Sequence, residues 1–97
     1  KIGIFDMFTV IVAKEDCTKF KPDPEPYLIT AKKLGVQPEY CVVIEDSEAG
    51  VSAAKSANMY CVAIPNKHTK NQDFSHADKV VTSVKDIGNI PELSSLI

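Results

Sequence analysis

Three short runs constrain the fold of this chain more than anything else in it: Phe8-Thr9-Val10-Ile11-Val12-Ala13, Cys41-Val42-Val43-Ile44 and Tyr60-Cys61-Val62-Ala63-Ile64. Each is short, rich in β-branched residues and apolar without alternation. That pattern marks strands buried on both faces, as in a parallel sheet with helices above and below. The segments between the runs carry helical spacing, so strand and helix alternate along the chain. Alternation of this kind predicts an α/β fold with an open parallel sheet and right-handed crossovers. No repeat, low-complexity tract or linker interrupts it.

The helical segments carry their own start and stop signals. In Lys21-Pro22-Asp23-Pro24-Glu25-Pro26 the prolines fall before or within a first turn, where no N–H enters the helix ladder. Asp23 is the expected N-cap, with the Glu25 N–H within its reach. Tyr27, Leu28, Ala31 and Leu34 then share one face, and Gly35 supplies a left-handed stop. The second helix is expected to start after Ser47 as N-cap and to carry Ala49, Val51, Ala53, Ala54 and Ala57. Asn58 stands at its left-handed terminator. So many alanines predict close approach of this helix to the sheet. Pro65 ends the third strand, residues 66–76 read as an irregular loop, and Lys79-Val80-Val81-Thr82 reads as a short edge strand. Residues 84–97 read as a loop and a ragged final helix.

Charge and composition narrow the class of partner. The 97 residues include 11 basic side chains, every one a lysine, against 13 acids, for a net charge of −2. That balance speaks against nucleic acid or an anionic membrane as partner, since either needs a basic patch or stripe. No apolar run approaches the roughly 18 residues of a membrane-spanning helix. Cys17, Cys41 and Cys61 are odd in number, widely spaced and without a CxxC pair, which disfavours a disulfide framework or a zinc site. A reducing cytoplasm fits this usage. The opening KIGIFDMFTVIV shows no leader pattern, and Lys1 stands where a methionine would begin a complete protein, so a longer parent is expected.

Ligands of open α/β sheets bind beyond the carboxyl ends of the strands, so the polar residues there carry the functional expectation. The first run leads through its loop to Lys21, the second to Glu45-Asp46, and the third to Asn66, Lys67 and His68. Two adjacent carboxylates before a helix N-terminus suit Mg²⁺, which prefers hard oxygen ligands. The positive end of the helix favours a phosphate nearby, and a loop lysine adds a point charge for it. Taken singly, each residue has a plainer explanation. Acids are enriched in first helical turns, and Lys21 alone reads as a solvated loop lysine. His68 and His76 read as solvated histidines, Cys41 and Cys61 as small core residues, and Lys32-Lys33 as a solvent-facing pair.

The combination is more specific than its parts. The string FKPDPEPYLITAKKLGVQPEYCVVIEDSEAGVSAAKSANMYCVAI resembles the haloacid dehalogenase-like (HAD) phosphatase superfamily, in its β-phosphoglucomutase-like branch. Lys21 matches the lysine of the family's third motif, and Glu45-Asp46 match the acidic pair of its fourth, followed by the serine and glycine of that branch. The resemblance implies a Rossmann-like HAD core and Mg²⁺-dependent phosphoryl transfer through an aspartyl-phosphate. The substrate would be a small phosphorylated metabolite such as a sugar phosphate. Lys21 would steady negative charge on nucleophile and phosphate, Asp46 would ligate Mg²⁺, and Glu45 would be a second ligand or an outer partner.

The departures from the family pattern are as informative. Phe20 and Asn58 each stand where the family usually has glycine. The nucleophilic and acid/base aspartates of a DxDxT-like first motif are absent, as is the serine or threonine of the second. Asp6 has Phe8 where a second acid would stand and takes no catalytic role. Residues 1–97 are therefore expected to be the C-terminal portion of a HAD-like core domain, lacking its cap and the central strands that bear those motifs. In the family's sheet those strands are expected between the strand at 9–13 and the strand at 42–44. The missing N-terminal part of the same protein is then the expected partner. The competing reading is a non-catalytic HAD-like remnant acting as a binding or interaction module. A response-regulator receiver is disfavoured, because there the acidic pair precedes the lysine.

Overall fold

The computed structural model describes residues 9–12 and 23–89. In chain order it contains strand β1 (Thr9–Val12), helix α1 (Glu25–Leu34), a 3₁₀ turn (Pro38–Tyr40) and strand β2 (Cys41–Glu45). Helix α2 (Glu48–Ser56), strand β3 (Tyr60–Ala63), strand β4 (Lys79–Val80) and a second 3₁₀ turn (Val84–Asn89) follow. The four strands form one sheet in the order β1-β2-β3-β4, and every neighbouring pair is parallel. The expected α/β class, a parallel Rossmann-like sheet with flanking helices, is what the chain forms.

Both helices end by the same device. Gly35 has φ +70°, and the Val36 and Gly35 N–H groups close onto the carbonyls of Ala31 and Lys32 at 3.0 and 3.1 Å. At the end of α2, Asn58 has φ +62°, with Met59 and Asn58 closing onto Ala54 and Lys55 at 3.1 and 3.0 Å. These are Schellman closures, one with glycine and one with asparagine at the left-handed position. The residue after each, Val36 or Met59, then turns back into the core. At the start of α1, Asp23 does accept the Glu25 N–H, at 2.9 Å, although the regular turns begin one residue later than expected, after Pro24.

Strand alternation sorts the core into two faces. Cys41, Val43, Cys61 and Ala63 point toward α1 and α2, where they meet Tyr27, Ala31, Val51, Ala53, Ala54 and Met59. Ala53, Ala54 and Ala57 are fully or almost fully buried, so small side chains do bring α2 close to the sheet. Val42 and Val62 point the other way, against Ile87. An aspartate–lysine pair ties the start of β3 to the loop before β4. Asp78 accepts from the Cys61 N–H at 2.7 Å and from Lys55 Nζ at 2.8 Å, and Lys55 also donates to the Met59 carbonyl.

Several expectations need correction. β1 is not buried on both faces: Ile11 packs on the helical side, but Val10 and Val12 are 42% and 61% exposed. Among the described residues the strand lies at the sheet edge, and only its helical side is covered. The strands expected between β1 and β2 in the family's sheet were expected to lie outside this chain; within it these two are direct neighbours, pairing Thr9 with Cys41 through Val12 with Ile44. Unpaired N–H and C=O groups are costly, so two strands with open facing edges satisfy each other. Leu34 and Ala49 are exposed, since each lies at a helix end beyond the covered stripe. The edge strand is confined to Lys79–Val80, and the expected final helix is, over its described part, a 3₁₀ turn. Residues 90–97 lie outside the described residues.

Gly50 offers a test of this packing. A Cβ built there would coincide with the carboxylate end of the Glu45 side chain. Helix propensity alone predicts that Gly50→Ala stabilises α2 by about 0.5–1 kcal/mol. Displacing a buried, hydrogen-bonded carboxylate costs more, so the variant is expected to lose about 1–3 kcal/mol in a urea melt. A gain would show that the close approach is unimportant.

Candidate active site

The acidic pair at the end of β2 splits in two directions, and strand geometry explains why. Glu45 is the last residue of β2 and shares the parity of Cys41 and Val43, so its side chain enters the layer beneath the helices. It is only 3% exposed. Asp46 is the first residue past the strand and stands exposed at the carboxyl edge of the sheet.

A buried carboxylate is tolerated only when donors satisfy it. Glu45 Oε2 accepts from the Tyr27 hydroxyl of α1 at 2.6 Å. Its Oε1 accepts from the Asp46 N–H at 3.0 Å and from Ser47 Oγ at 3.2 Å. Ser47 in turn accepts from the Gly50 N–H at 3.1 Å, so it caps α2 as expected while its hydroxyl proton goes to Glu45. The carboxylate therefore lies against the first turn of α2, where the helix dipole favours negative charge. Gly50 leaves the room for it.

Asp46 is held differently. Its Oδ2 accepts from Asn66 Nδ2 at 2.8 Å, and Asn66 belongs to the loop after β3. That loop is also tied to the start of α2, because the Glu48 N–H donates to Gln72 Oε1 at 2.8 Å. The Asp73 N–H donates back to Glu48 Oε1 at 3.2 Å. The Asp73 carboxylate is held below the usual range by hydrogen bonds from Ser75, which fixes the next turn.

The structure thus brings Asp46 and Asn66 together at the carboxyl edge and draws Glu45 away from it. Lys21, the expected catalytic lysine, lies outside the described residues, as do Asp6, Cys17 and Phe20. His68 and His76 are exposed. Cys41 and Cys61 are buried, and burial pushes the Cys41 thiol up, away from nucleophile chemistry. Among the described residues, no three His, Cys, Asp or Glu side chains gather around one point. Sequence reasoning placed Tyr27 in the core but missed its hydroxyl's task. The available signal was a tyrosine on the buried face of a helix preceding a strand that ends in glutamate.

Residues 1–64 match the haloacid dehalogenase-like hydrolase family. The chain belongs to that family. YhcW of Bacillus subtilis, a protein named as a phosphatase, is 45% identical over 87 residues, which are 90% of this chain and 40% of YhcW. The β-phosphoglucomutase of the same organism is 40% identical over 87 residues, 90% of this chain and 37% of that enzyme. The crystal structure of CbbY from Rhodobacter sphaeroides in complex with phosphate superposes with a TM-score of 0.70 at 35% identity. That match covers 76% of this chain and 33% of CbbY. Such relatives place the chain in the β-phosphoglucomutase-like branch of the HAD superfamily. The chain spans 40% and 37% of the length of these two curated relatives, and as little as 18% of others it matches.

Removing the hydroxyl at Tyr27 tests the buried carboxylate directly. Tyr27→Phe keeps the ring packing and deletes one charge-assisted donor, so a loss of about 1–3 kcal/mol is expected in equilibrium unfolding. A stability equal to the parent's would mean that Glu45 does not depend on this bond.

Proposed function

We propose that this chain supplies the lysine-and-acid corner of a Mg²⁺-dependent phosphatase or phosphomutase. The substrate would be a small phosphorylated metabolite, such as a sugar phosphate. The observation that carries this reading is the split of the acidic pair within a HAD-family chain. Asp46 stands exposed at the carboxyl edge of a parallel sheet beside a helix N-terminus, where ligands of such sheets bind. Glu45 is committed to the fold beneath it.

The donor chemistry at Asp46 fits Mg²⁺, which typically takes one or two protein carboxylates and completes its shell with water and substrate phosphate. Asp46 would hold the ion, and the ion when bound would neutralise charge on the phosphoryl oxygens. Glu45 fits the outer role: its Oε1 fixes the Asp46 N–H, and so the backbone from which the ligand projects. Lys21 would counter the same negative charge from its own loop. The nucleophilic aspartate that would carry the aspartyl-phosphate is proposed to lie in sequence outside this chain, together with the remaining ligands. The N-terminal part of the same protein would then be the natural partner of this chain, consistent with its short span of its relatives. Three widely spaced cysteines without a CxxC pair suit a reducing cytoplasm as the place of work.

In the intact protein, Lys21→Ala and Asp46→Asn are each expected to lower turnover of an aryl phosphate at least about 100-fold, because each removes charge stabilisation of the transferring phosphoryl group. Near-normal turnover in either variant would overturn the assignment. The 97-residue chain alone is expected to show none.

A further inference from the structure

We propose that Asn66 is a positioning residue for Asp46, pinning one carboxylate oxygen so that the other is presented to a divalent cation. This rests on the reading of Asp46 as the metal-holding carboxylate.

The chemistry of the contacts fixes which way the Asn66 amide points. Its Oδ1 accepts from the His68 N–H at 2.7 Å and from the Thr69 N–H at 3.1 Å. Its Nδ2 donates to Asp46 Oδ2 at 2.8 Å. Backbone N–H groups only donate and a carboxylate only accepts, so a flipped amide would lose all three bonds. The side chain is thus locked by its own turn before it reaches Asp46. The turn is closed further by the Asn66 N–H, which donates to Thr69 Oγ1 at 2.9 Å.

The loop itself is anchored independently of Asn66. Gln72 and the Asp73 N–H bind the backbone and side chain of Glu48, two residues past Asp46. The Asp46 backbone is meanwhile held from below by Glu45 Oε1. Asp46 is therefore fixed at its N–H by one neighbour and at one oxygen by another, while its side chain stays exposed to solvent. An exposed aspartate would otherwise sample several rotamers, and ordering it beforehand lowers the cost of ion capture. Outer partners that orient a metal-ligating carboxylate typically change metal affinity 10–100-fold when removed.

The test is Mn²⁺ binding to the intact, substrate-free protein, followed by electron paramagnetic resonance, with Mg²⁺ as competitor. Asn66→Ala is expected to weaken binding of both ions about 10-fold. Asn66→Ser, whose hydroxyl can still accept the His68 and Thr69 N–H groups but is too short to reach Asp46, is expected to weaken it equally. Gln72→Ala loosens the same loop without touching Asp46 and is expected to leave affinity within about two-fold, well short of an outer-partner effect. If Asp46→Asn abolishes binding while both Asn66 variants bind as the parent does, the positioning role falls and the site reading stands. If Gln72→Ala weakens binding as much as Asn66→Ala, the effect belongs to the loop and the role of the amide falls. If Asp46→Asn binds Mn²⁺ like the parent, the site reading itself falls.

Discussion

A single buried carboxylate organises this chain. Glu45 lies where β2, α1 and the start of α2 converge, and it is bonded to a donor from each side of that junction. A charge buried this deeply is unfavourable unless its oxygens are satisfied, so the interaction works as a constraint as much as an attraction. Tyr27 must face inward, Ser47 must sit at the N-cap, and position 50 must lack a side chain. Each of those requirements is met by a residue in sequence order along the chain, and together they fix how β2 hands over to α2.

The consequence for function is a division of labour between adjacent acids. Strand parity sends Glu45 inward and leaves Asp46 at the rim, so two neighbouring carboxylates acquire opposite environments from the pleat alone. One builds the turn, and the other faces solvent, where the proposed function puts the metal ion. The loop after β3 completes the arrangement, because Asn66 and Gln72 reach back across the sheet edge to the same turn. Parallel order brings these segments together: β2 and β3 are hydrogen-bonded neighbours whose carboxyl ends lie side by side.

Local chemistry made much of this visible in the sequence. Buried-type runs located β1, β2 and β3, and Gly35, Ser47 and Asn58 marked helix boundaries where the structure has them. The family motif in residues 20–64 led to the HAD fold and to Asp46 as the acid worth following. What depended on distant pairing was not visible. The hydroxyl of Tyr27 and the side chain of Glu45 are 18 residues apart, and no local pattern links them. The expected burial of Val10 and Val12 failed because a run of apolar residues reports a strand without saying how many layers cover it. The direct pairing of β1 with β2 was not legible for a related reason: pairing follows from which edges are open, a property of the whole sheet. The motif set Asp46 as ligand against Glu45 as second ligand or outer partner, but only the register of β2 shows their opposite environments.

That separation is tested by one paired comparison: unfolding free energy and Mg²⁺ affinity of Glu45→Gln and Asp46→Asn, both in the intact protein. Glu45→Gln would replace one of the two accepting oxygens by an amide donor and remove the charge that the Tyr27, Ser47 and Asp46 donors serve. Its expected signature is a loss of about 1–3 kcal/mol in stability, with the larger share of its defect in folding. The Asp46 variant is expected to unfold within about 0.5 kcal/mol of the parent, as exposed substitutions generally do, while losing its hold on Mg²⁺. The reverse pattern, or equal losses of both quantities in both variants, would contradict the claim that one acid builds the site and the other serves it.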